Sequence, residues 1–312
     1  MNRQGHLGNG SVRARTAPVS DAKGILDSRF LPDTDFDSLW KSILIPDAQR
    51  DQLLSQALLN FTLRPKVDRA KVPLHGIILL VGPPGTGKTS LARGLASRTA
   101  DHLKSLGDFV FLEIEPHTLM SSSHGKSQKA VQELLGQTVA EVAARHPTIV
   151  LLDEVETLAA DRSQMSLESN PVDVHRATDA VLAQLDHLAA KYSKLLFLAT
   201  SNFAQALDHA FVSRADLVIT IGVPEAEARK EIFRDTLEEL AKRFSDVASL
   251  ISDEHLTKLA RKSDGLDGRQ IRKAVVSACA RDKRTALDIN CLKFSDLELA
   301  VEQVTHSKGR KE

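Results

Sequence analysis

The chain has 312 residues, of which 42% are hydrophobic and 26% charged, the composition of an ordinary globular protein rather than of a disordered or fibrous one. Lys plus Arg and Asp plus Glu each number 41, and the resulting net charge of zero argues against a protein that coats nucleic acid by bulk electrostatics. With 11 Phe, one Trp and one Tyr, the chain also has few aromatic rings on which bases could stack.

The N-terminal part carries little apolar periodicity, and residues 1–34 are predicted to form a basic, disordered tail. From residue 75 onward, short aliphatic runs alternate with helical patterns. Strands are predicted at residues 77–81, 109–114, 148–152, 195–200 and 217–221. Continuous aliphatic strands separated by helices indicate a parallel sheet covered on both faces. Residues 35–222 are therefore assigned to a doubly wound α/β domain with five parallel strands.

Beyond Pro224 no strong strand pattern returns. Helices are predicted from there to about residue 244 and at residues 253–263, 268–284 and 296–305. Residues 223–306 are accordingly predicted to form a small helical domain, which a polar tail at residues 307–312 follows.

Several site classes are excluded by what the sequence lacks. Cys279 and Cys291 belong to no CxxC motif or Cys/His cluster, so neither a zinc site nor a disulfide scaffold is predicted. The N-terminus has no apolar signal segment, and the longest apolar run is far shorter than the roughly 18 residues of a membrane span. We therefore expect a cytoplasmic protein without a membrane partner.

A phosphate-binding loop follows the first predicted strand of the sheet. The sequence GPPGTGKT fits the pattern GxxxxGK[ST]. It stands between a predicted buried strand and a predicted helix, which is the structural context that this motif requires. Its glycines let backbone N–H groups surround phosphate oxygens, its Lys reaches the β and γ phosphates, and its Thr hydroxyl binds Mg²⁺. The residues expected to bind ATP are Gly82, Pro83, Pro84, Gly85, Thr86, Gly87, Lys88, Thr89 and Ser90.

Polar residues end two further strands of the predicted sheet. Asp153 and Glu154 follow the strand at residues 148–152, and Asn202 follows the strand at residues 195–200. Ligands of open α/β sheets bind at the carboxyl ends of the strands, so these side chains should face the phosphate loop. Asp153 is predicted to hold Mg²⁺ together with Thr89, Glu154 to polarise the attacking water, and Asn202 to sense the γ phosphate.

The order and spacing of these motifs resemble those of the AAA+ ATPases. The motifs that carry this resemblance lie at residues 82–89, 151–156, 200–202, 213–214 and 265–269. Within that superfamily the chain is most similar to the pachytene-checkpoint ATPases, which remodel HORMA-domain proteins. The matching segments cover most of residues 31–285 and imply a P-loop AAA+ large domain followed by a small helical lid.

The resemblance also assigns roles to two arginines and implies a ring. It implies that Arg214 is a finger acting in trans on the nucleotide of a neighbouring subunit, and that Arg269 is the lid arginine that senses nucleotide in cis. A finger acting in trans requires a ring, and the family assembles as homohexamers. An arginine in this role accelerates phosphoryl transfer by about 10³–10⁵.

A substrate-gripping loop is implied after the second strand, with Met120, Ser123 and His124 as its contact residues. The relatives carry bulky aromatic side chains where Ser123 and His124 stand, and such rings grip an extended peptide through a large contact area. A flexible serine-rich loop without grip is the alternative for this segment. A second pore-facing loop is expected at residues 162–175.

The leading hypothesis is an ATP- and Mg²⁺-dependent homohexamer that engages and partly unfolds a HORMA-domain protein. Only about 30 residues precede the match, whereas eukaryotic relatives carry a docking domain there, so the chain resembles minimal bacterial members. The resemblance implies that such bacterial members accompany a HORMA protein and a cyclic-oligonucleotide synthase, which is a nucleotidyltransferase. Disassembly of that complex would regulate antiphage signalling.

Two other functions compete with this hypothesis. A DNA-linked AAA+ ATPase of clamp-loader or initiator type is the main alternative, but the zero net charge, the few aromatic residues and the lack of a DNA-binding module disfavour it. A P-loop kinase for small molecules is disfavoured because Glu154 and Asn202 suit activation of water rather than of a bound acceptor.

Overall fold

The structure is a computed structural model that describes Val19 and residues 22–116, 126–157 and 171–308. Within these residues one sheet is formed by the strands β1 (Ile25–Leu31), β2 (Ile77–Val81), β3 (Phe109–Ile114), β4 (Thr148–Leu152), β5 (Leu195–Ser201) and β6 (Leu217–Thr220). Their order across the sheet is β1-β3-β4-β5-β2-β6, and every neighbouring pair except β1 and β3 is parallel. The five predicted parallel strands are confirmed.

Strand β1 corrects the prediction that residues 1–34 form a disordered tail. It pairs antiparallel with β3, from Ile25 opposite Ile114 to Leu31 opposite Phe109. Most of its side chains are only half-buried, because β1 lies at the edge of the sheet and is held largely by backbone pairing. An edge strand of mixed residues such as ILDSRFL contains no clear alternation from which it could be predicted.

The central strands are aliphatic throughout because both faces of the sheet are covered. On β2, Ile77, Leu79 and Val81 enter one hydrophobic core, whereas Ile78 and Leu80 enter the core on the opposite face. All of them are at most 4% exposed. Complete burial of such a side chain stabilises a fold by about 1.5–3 kcal/mol, which favours the uninterrupted aliphatic runs found in the sequence.

Helices cover both faces of the sheet and build a third core near the C-terminus. The helices named below are α1 (Thr34–Ser42), α2 (Asp47–Thr62), α3 (Lys88–His102), α4 (Lys126–Glu133), α5 (Ala140–Ala143), α6 (Pro171–Lys191), α7 (His209–Val212), α8 (Ala226–Ala241), α9 (Asp253–Lys262), α10 (Gly268–Cys279), α11 (Lys283–Leu287) and α12 (Phe294–Lys308). A π-helical segment, Leu134–Val139, joins α4 to α5. No helix of the described ranges is both long and apolar enough to cross a membrane.

The third core is centred on Phe233, Leu259 and Ile271, which come from α8, α9 and α10. The predicted helix at residues 268–284 ends earlier, at Cys279. Asp282 then caps α11, because its carboxylate accepts the backbone N–H of Thr285 at 2.8 Å. The structure therefore has a helix end and a new helix start where the sequence predicted one helix continuing to residue 284.

Candidate active site

The carboxyl ends of β2, β5 and β4 lie side by side, so the segments that follow them meet at one edge of the sheet. β2 leads into the loop before Lys88, β4 leads into Asp153 and Glu154, and β5 leads into Asn202. Parallel strands bring their carboxyl ends to a common edge, which is where α/β proteins place their ligands. The structure thus brings these predicted side chains together.

Two glycines of the loop hold positions that a side chain cannot occupy. Gly82 has φ +149°, and a Cβ there would lie 2.0 Å from the carbonyl oxygen of Ile221. Gly85 has φ +85°, and a Cβ there would lie 2.5 Å from the carboxyl carbon of Asp267. The loop therefore packs against the end of β6 on one side and against the start of α10 on the other. It ends at the N-terminus of α3, where unpaired helix N–H groups favour a bound anion.

The Lys88 ammonium is held at the mouth of the loop by three acceptors. It donates to the carbonyl oxygens of Gly82 at 2.8 Å and Pro83 at 2.9 Å, and to Oδ1 of Asn202 at 2.9 Å. The residue is only 6% exposed. Burial lowers the pKa of Lys88 and Arg269 acts in the same direction, whereas nearby carboxylates, Glu156 foremost, oppose the shift. The ammonium is thus placed where a phosphate can replace its two carbonyl acceptors.

Asp153 and Thr89, which the sequence predicts to bind Mg²⁺ together, are in direct contact. The Thr89 hydroxyl donates to Oδ1 of Asp153 at 2.8 Å, which joins the start of α3 to the end of β4. The Thr200 hydroxyl donates to the same oxygen. Sequence reasoning gave Thr200 no role. Its signal was a polar residue in an aliphatic strand, and the register that places Leu152 opposite Ala199 brings Asp153 beside it.

Glu154 is presented to the cleft by an unusual backbone conformation. Its φ is +52°, the left-handed region that costs a residue with a side chain about 1–3 kcal/mol. The backbone N–H of Glu154 donates to the Thr200 hydroxyl at 3.1 Å, and Oε1 of Glu154 accepts the Asn202 amide at 3.1 Å. Asn202 therefore bridges the Lys88 ammonium and the Glu154 carboxylate.

Glu156 is a further carboxylate that sequence reasoning did not single out. Its Oε1 accepts the backbone N–H of Asn202 at 3.0 Å, which fixes the chain where β5 ends. Its Oε2 is buried and has no hydrogen-bond partner among the described residues. Only the tertiary structure reveals this role, because no spacing rule links residue 156 to residue 202.

The lid helix α10 forms the opposite wall of a cleft of about 730 Å³. The Asp267 carboxylate caps α10 by accepting the N–H of Gln270 at 2.8 Å, and Gln270 returns the contact to the N–H of Asp267 at 3.0 Å. Arg269 therefore stands in the first turn of the helix, beside the phosphate loop. The other cleft-lining residues of α10 are Arg272, Lys273, Val276 and Ser277.

Arg214 is not part of this cleft. It lies just beyond α7, and its guanidinium binds both carboxylate oxygens of Asp186, at 3.0 Å and 2.7 Å. The structure thus brings Arg269 to the phosphate loop of its own chain but leaves Arg214 elsewhere. Met120, Ser123 and His124 lie outside the described residues, as does most of the second predicted pore loop, so their roles stay predictions.

Comparisons with known proteins identify the family of this chain. A family model described as AAA, the ATPase family associated with various cellular activities, matches residues 78–223. CD-NTase-associated protein 6 of Pseudomonas aeruginosa is 56% identical over 92% of this chain and 95% of that protein. A pachytene checkpoint protein 2 homolog of Oryza sativa subsp. indica is 33% identical over 89% of this chain and 66% of that protein.

The fold also has a counterpart among solved structures. A chain in the structure of the E. coli MS115-1 HORMA:CdnC:Trip13 complex superposes with a TM-score of 0.72 at 18% identity. The match covers 89% of this chain and 94% of that one. At this identity the likeness establishes a shared fold, including both the sheet and the helical lid.

Proposed function

Because the chain belongs to the AAA ATPases, in the group of CD-NTase-associated protein 6 and the pachytene checkpoint proteins, we propose that it is a cytoplasmic homohexamer that remodels a HORMA-domain protein. The observation that carries the proposal is the hydrogen-bonded chain from Lys88 through Asn202 to Glu154 at the mouth of the phosphate loop. It links a phosphate-binding cation to a carboxylate that can act on water. The proposed reaction is hydrolysis of ATP to ADP and phosphate.

Each residue of this chain has a distinct task in the proposed reaction. Lys88 exchanges its two carbonyl acceptors for phosphate oxygens, with which charge-assisted hydrogen bonds are stronger. Glu154 orients the attacking water and accepts its proton. Asn202 keeps the Glu154 carboxylate in place and, through Lys88, couples it to the bound phosphates.

The residues present also fit Mg²⁺. The Thr89 hydroxyl and the Asp153 carboxylate are hard oxygen donors that already touch at 2.8 Å. Few protein ligands suit this ion, which usually retains water and binds substrate phosphates. When bound, Mg²⁺ would neutralise charge on the phosphates, and Thr89 and Asp153 would hold it.

A ring explains the different locations of the two arginines. Arg269 lines the cleft of its own chain, which suits sensing in cis. Arg214 lies outside that cleft, which supports a finger that completes the site of a neighbouring subunit. Hydrolysis would then move the lid against the sheet domain and drive the gripping loop at Met120, Ser123 and His124 along the substrate.

The partner is proposed from the relatives. One relative bears the name CD-NTase-associated protein 6, and a chain of the same fold was solved in a HORMA:CdnC:Trip13 complex. We therefore propose that this protein dissociates a HORMA protein from a nucleotidyltransferase and thereby regulates antiphage signalling. These relatives give no support to the DNA-linked alternative.

The proposal is tested by adding the protein to a bacterial HORMA protein bound to its fluorescently labelled nucleotidyltransferase. We expect the complex to dissociate with ATP but not with a non-hydrolysable analogue, because the energy comes from hydrolysis. The Glu154→Gln variant should bind the HORMA protein stably in the presence of ATP without releasing the nucleotidyltransferase.

A matched control is Glu141→Gln, an exposed glutamate on α5 away from the cleft, which should dissociate the complex like the wild type. Persistence of the complex while ATP is consumed would refute the remodelling function. Stimulation of the ATPase by duplex DNA, with a steep dependence on salt, would instead favour the clamp-loader or initiator class.

A further inference from the structure

The backbone around Arg214 is fixed on both sides. Before it, the N–H of Arg214 donates to the carbonyl oxygen of Phe211 in α7 at 3.0 Å. After it, the Asp216 carboxylate accepts the N–H groups of His75 at 2.9 Å and Gly76 at 2.6 Å, which ties the chain to the start of β2. These contacts fix the position of the Arg214 Cα, so the direction of the guanidinium depends on the side-chain torsion angles alone.

That side chain is itself held by three hydrogen bonds. Nε donates to Oδ1 of Asp186 at 3.0 Å, Nη2 donates to Oδ2 at 2.7 Å, and Nη1 donates to the carbonyl oxygen of Ala210 at 2.5 Å. A guanidinium has five N–H donors. One N–H on each of Nη1 and Nη2 therefore has no partner among the described residues. Paired N–H groups of this kind form the fork that binds two oxygens of a phosphate.

The Asp186 carboxylate orients Arg214 but also interacts with other basic side chains. The same carboxylate lies 3.8 Å from Nη2 of Arg69 and 3.9 Å from Nε2 of His75. The hydrogen bond from Arg214 lowers the pKa of Asp186, and the bond to Asp186 raises the pKa of Arg214, so both stay ionised. One carboxylate divided between two guanidinium groups leaves Arg214 able to attract an anion.

We propose that Asp186 is a positioning residue that holds Arg214 in the orientation required to reach the nucleotide of the neighbouring subunit. This inference rests on the proposed function, in which Arg214 acts in trans. An arginine already ordered before the encounter loses less rotamer entropy when it binds, and accurate placement is worth a large factor in rate. In the opposite reading Asp186 restrains Arg214, and its removal would raise the rate.

The test is Asp186→Asn in the full chain. The amide keeps one acceptor oxygen but presents an NH₂ group to the guanidinium, so the two-point contact is lost. We expect kcat for phosphate release to fall about tenfold or more, with KM for ATP changed by less than about twofold, because the finger acts on the transferring phosphoryl group. Asp186→Glu, which retains a carboxylate, should recover part of the loss.

Mixed rings separate positioning from a merely structural role. Asp186→Asn subunits have an intact cleft and a misplaced finger, whereas Lys88→Ala subunits have an intact finger and a defective cleft. Mixing the two should restore activity, as should mixing Arg214→Ala with Lys88→Ala. Asp51→Asn, an exposed aspartate on α2, is the matched control and should keep wild-type turnover in pure rings.

Wild-type or raised kcat in Asp186→Asn, or a loss that Lys88→Ala subunits fail to complement, would overturn the inference. Its failure is distinguishable from failure of the proposed function. If Arg214→Ala rings are inactive while Asp186→Asn rings are normal, the trans finger stands and only the positioning role falls. If Arg214→Ala rings hydrolyse ATP at the wild-type rate, both fall.

Discussion

The two walls of the cleft differ in how many of their polar side chains are bonded to other groups of the protein. On the sheet wall, Lys88 donates to Asn202 and to two backbone carbonyl oxygens. Asp153 accepts the hydroxyls of Thr89 and Thr200. On the lid wall, the side chains of Arg269 and Lys273 line the cleft but form no hydrogen bond or ion pair with any described residue. Arg272 of the same wall donates to the carbonyl oxygens of Gly268 at 3.4 Å and Ser42 at 3.3 Å. The polar side chains of the sheet wall are therefore held by other groups of the protein, whereas Arg269 and Lys273 can bind a ligand without giving up a described partner.

The charges on the two walls indicate how a bound nucleotide would move the lid. Arg269 is close enough to help lower the pKa of Lys88, so the cations on the two walls disfavour each other. A polyphosphate between the walls would relieve this repulsion and supply the partners that the lid lacks. Nucleotide binding should therefore draw α10 towards the sheet, and nucleotide loss should release it.

Substitution of Glu154 by Gln should have the largest effect and acts on the sheet wall alone. Gln can still accept the Asn202 amide, so the hydrogen-bonded chain survives, but it cannot take a proton from water. Turnover should fall by about 10²–10⁴ while nucleotide affinity stays near that of the wild type. Phosphate release and binding of a fluorescent nucleotide measure the two quantities. A variant that retains turnover would remove Glu154 from the mechanism.

The sheet wall could be anticipated from sequence because its residues follow strands whose register the fold imposes. GPPGTGKT after an aliphatic strand, and Asp153–Glu154 after another, require only parallel pairing to meet. The contacts of Thr200 and Glu156 could not be anticipated, although both residues stand in the quoted motifs. Their contacts depend on how β4 and β5 align and on the strained backbone at Glu154, and neither is encoded by local spacing.

Strand β1 and the pair of Asp186 and Arg214 also could not be predicted from local sequence. β1 is held by backbone pairing rather than by an apolar face, so its residues show no strand pattern. The pairing of Asp186 with Arg214 likewise joins α6 to the segment after α7, and only the packed structure brings them together. Local motifs therefore predicted which residues lie at the candidate site, whereas long-range packing determines how their side chains are oriented.

Substitution of Arg269 by Ala tests the lid wall and should have an intermediate effect. A charge-assisted hydrogen bond to phosphate contributes about 1.5–3 kcal/mol, so nucleotide affinity should fall roughly 10- to 100-fold. Because the Arg269 side chain has no partner among the described residues and is repelled by Lys88, the free energy of unfolding without nucleotide should not fall. Calorimetric titration and urea denaturation measure these quantities. The control, Arg243→Ala at an exposed position after α8, should alter neither.

Substitution of Thr200 by Val tests the sheet wall and should have the smallest effect. In contrast to Arg269→Ala, it should lower the stability of the protein even without nucleotide. Thr200 is 1% exposed, and its hydroxyl both donates to Asp153 and accepts the N–H of Glu154. Val keeps the shape but leaves these groups without that partner, so urea denaturation without nucleotide should show a loss of about 1–2 kcal/mol. Turnover should fall as well, because the same hydroxyl orients the segment that carries Glu154.

The matched control for this substitution is Thr148→Val, at a fully buried threonine whose hydroxyl donates to the carbonyl oxygen of His146 at 2.9 Å, at the start of β4. Thr148→Val should also lower the free energy of unfolding, by about 1 kcal/mol. It should leave turnover unchanged, because Thr148 begins β4 and the cleft lies beyond the opposite, carboxyl end of that strand. If Arg269→Ala destabilised the nucleotide-free protein as much as Thr200→Val, the lid wall would be as preorganised as the sheet wall. Nucleotide binding could then not be what draws the lid closed.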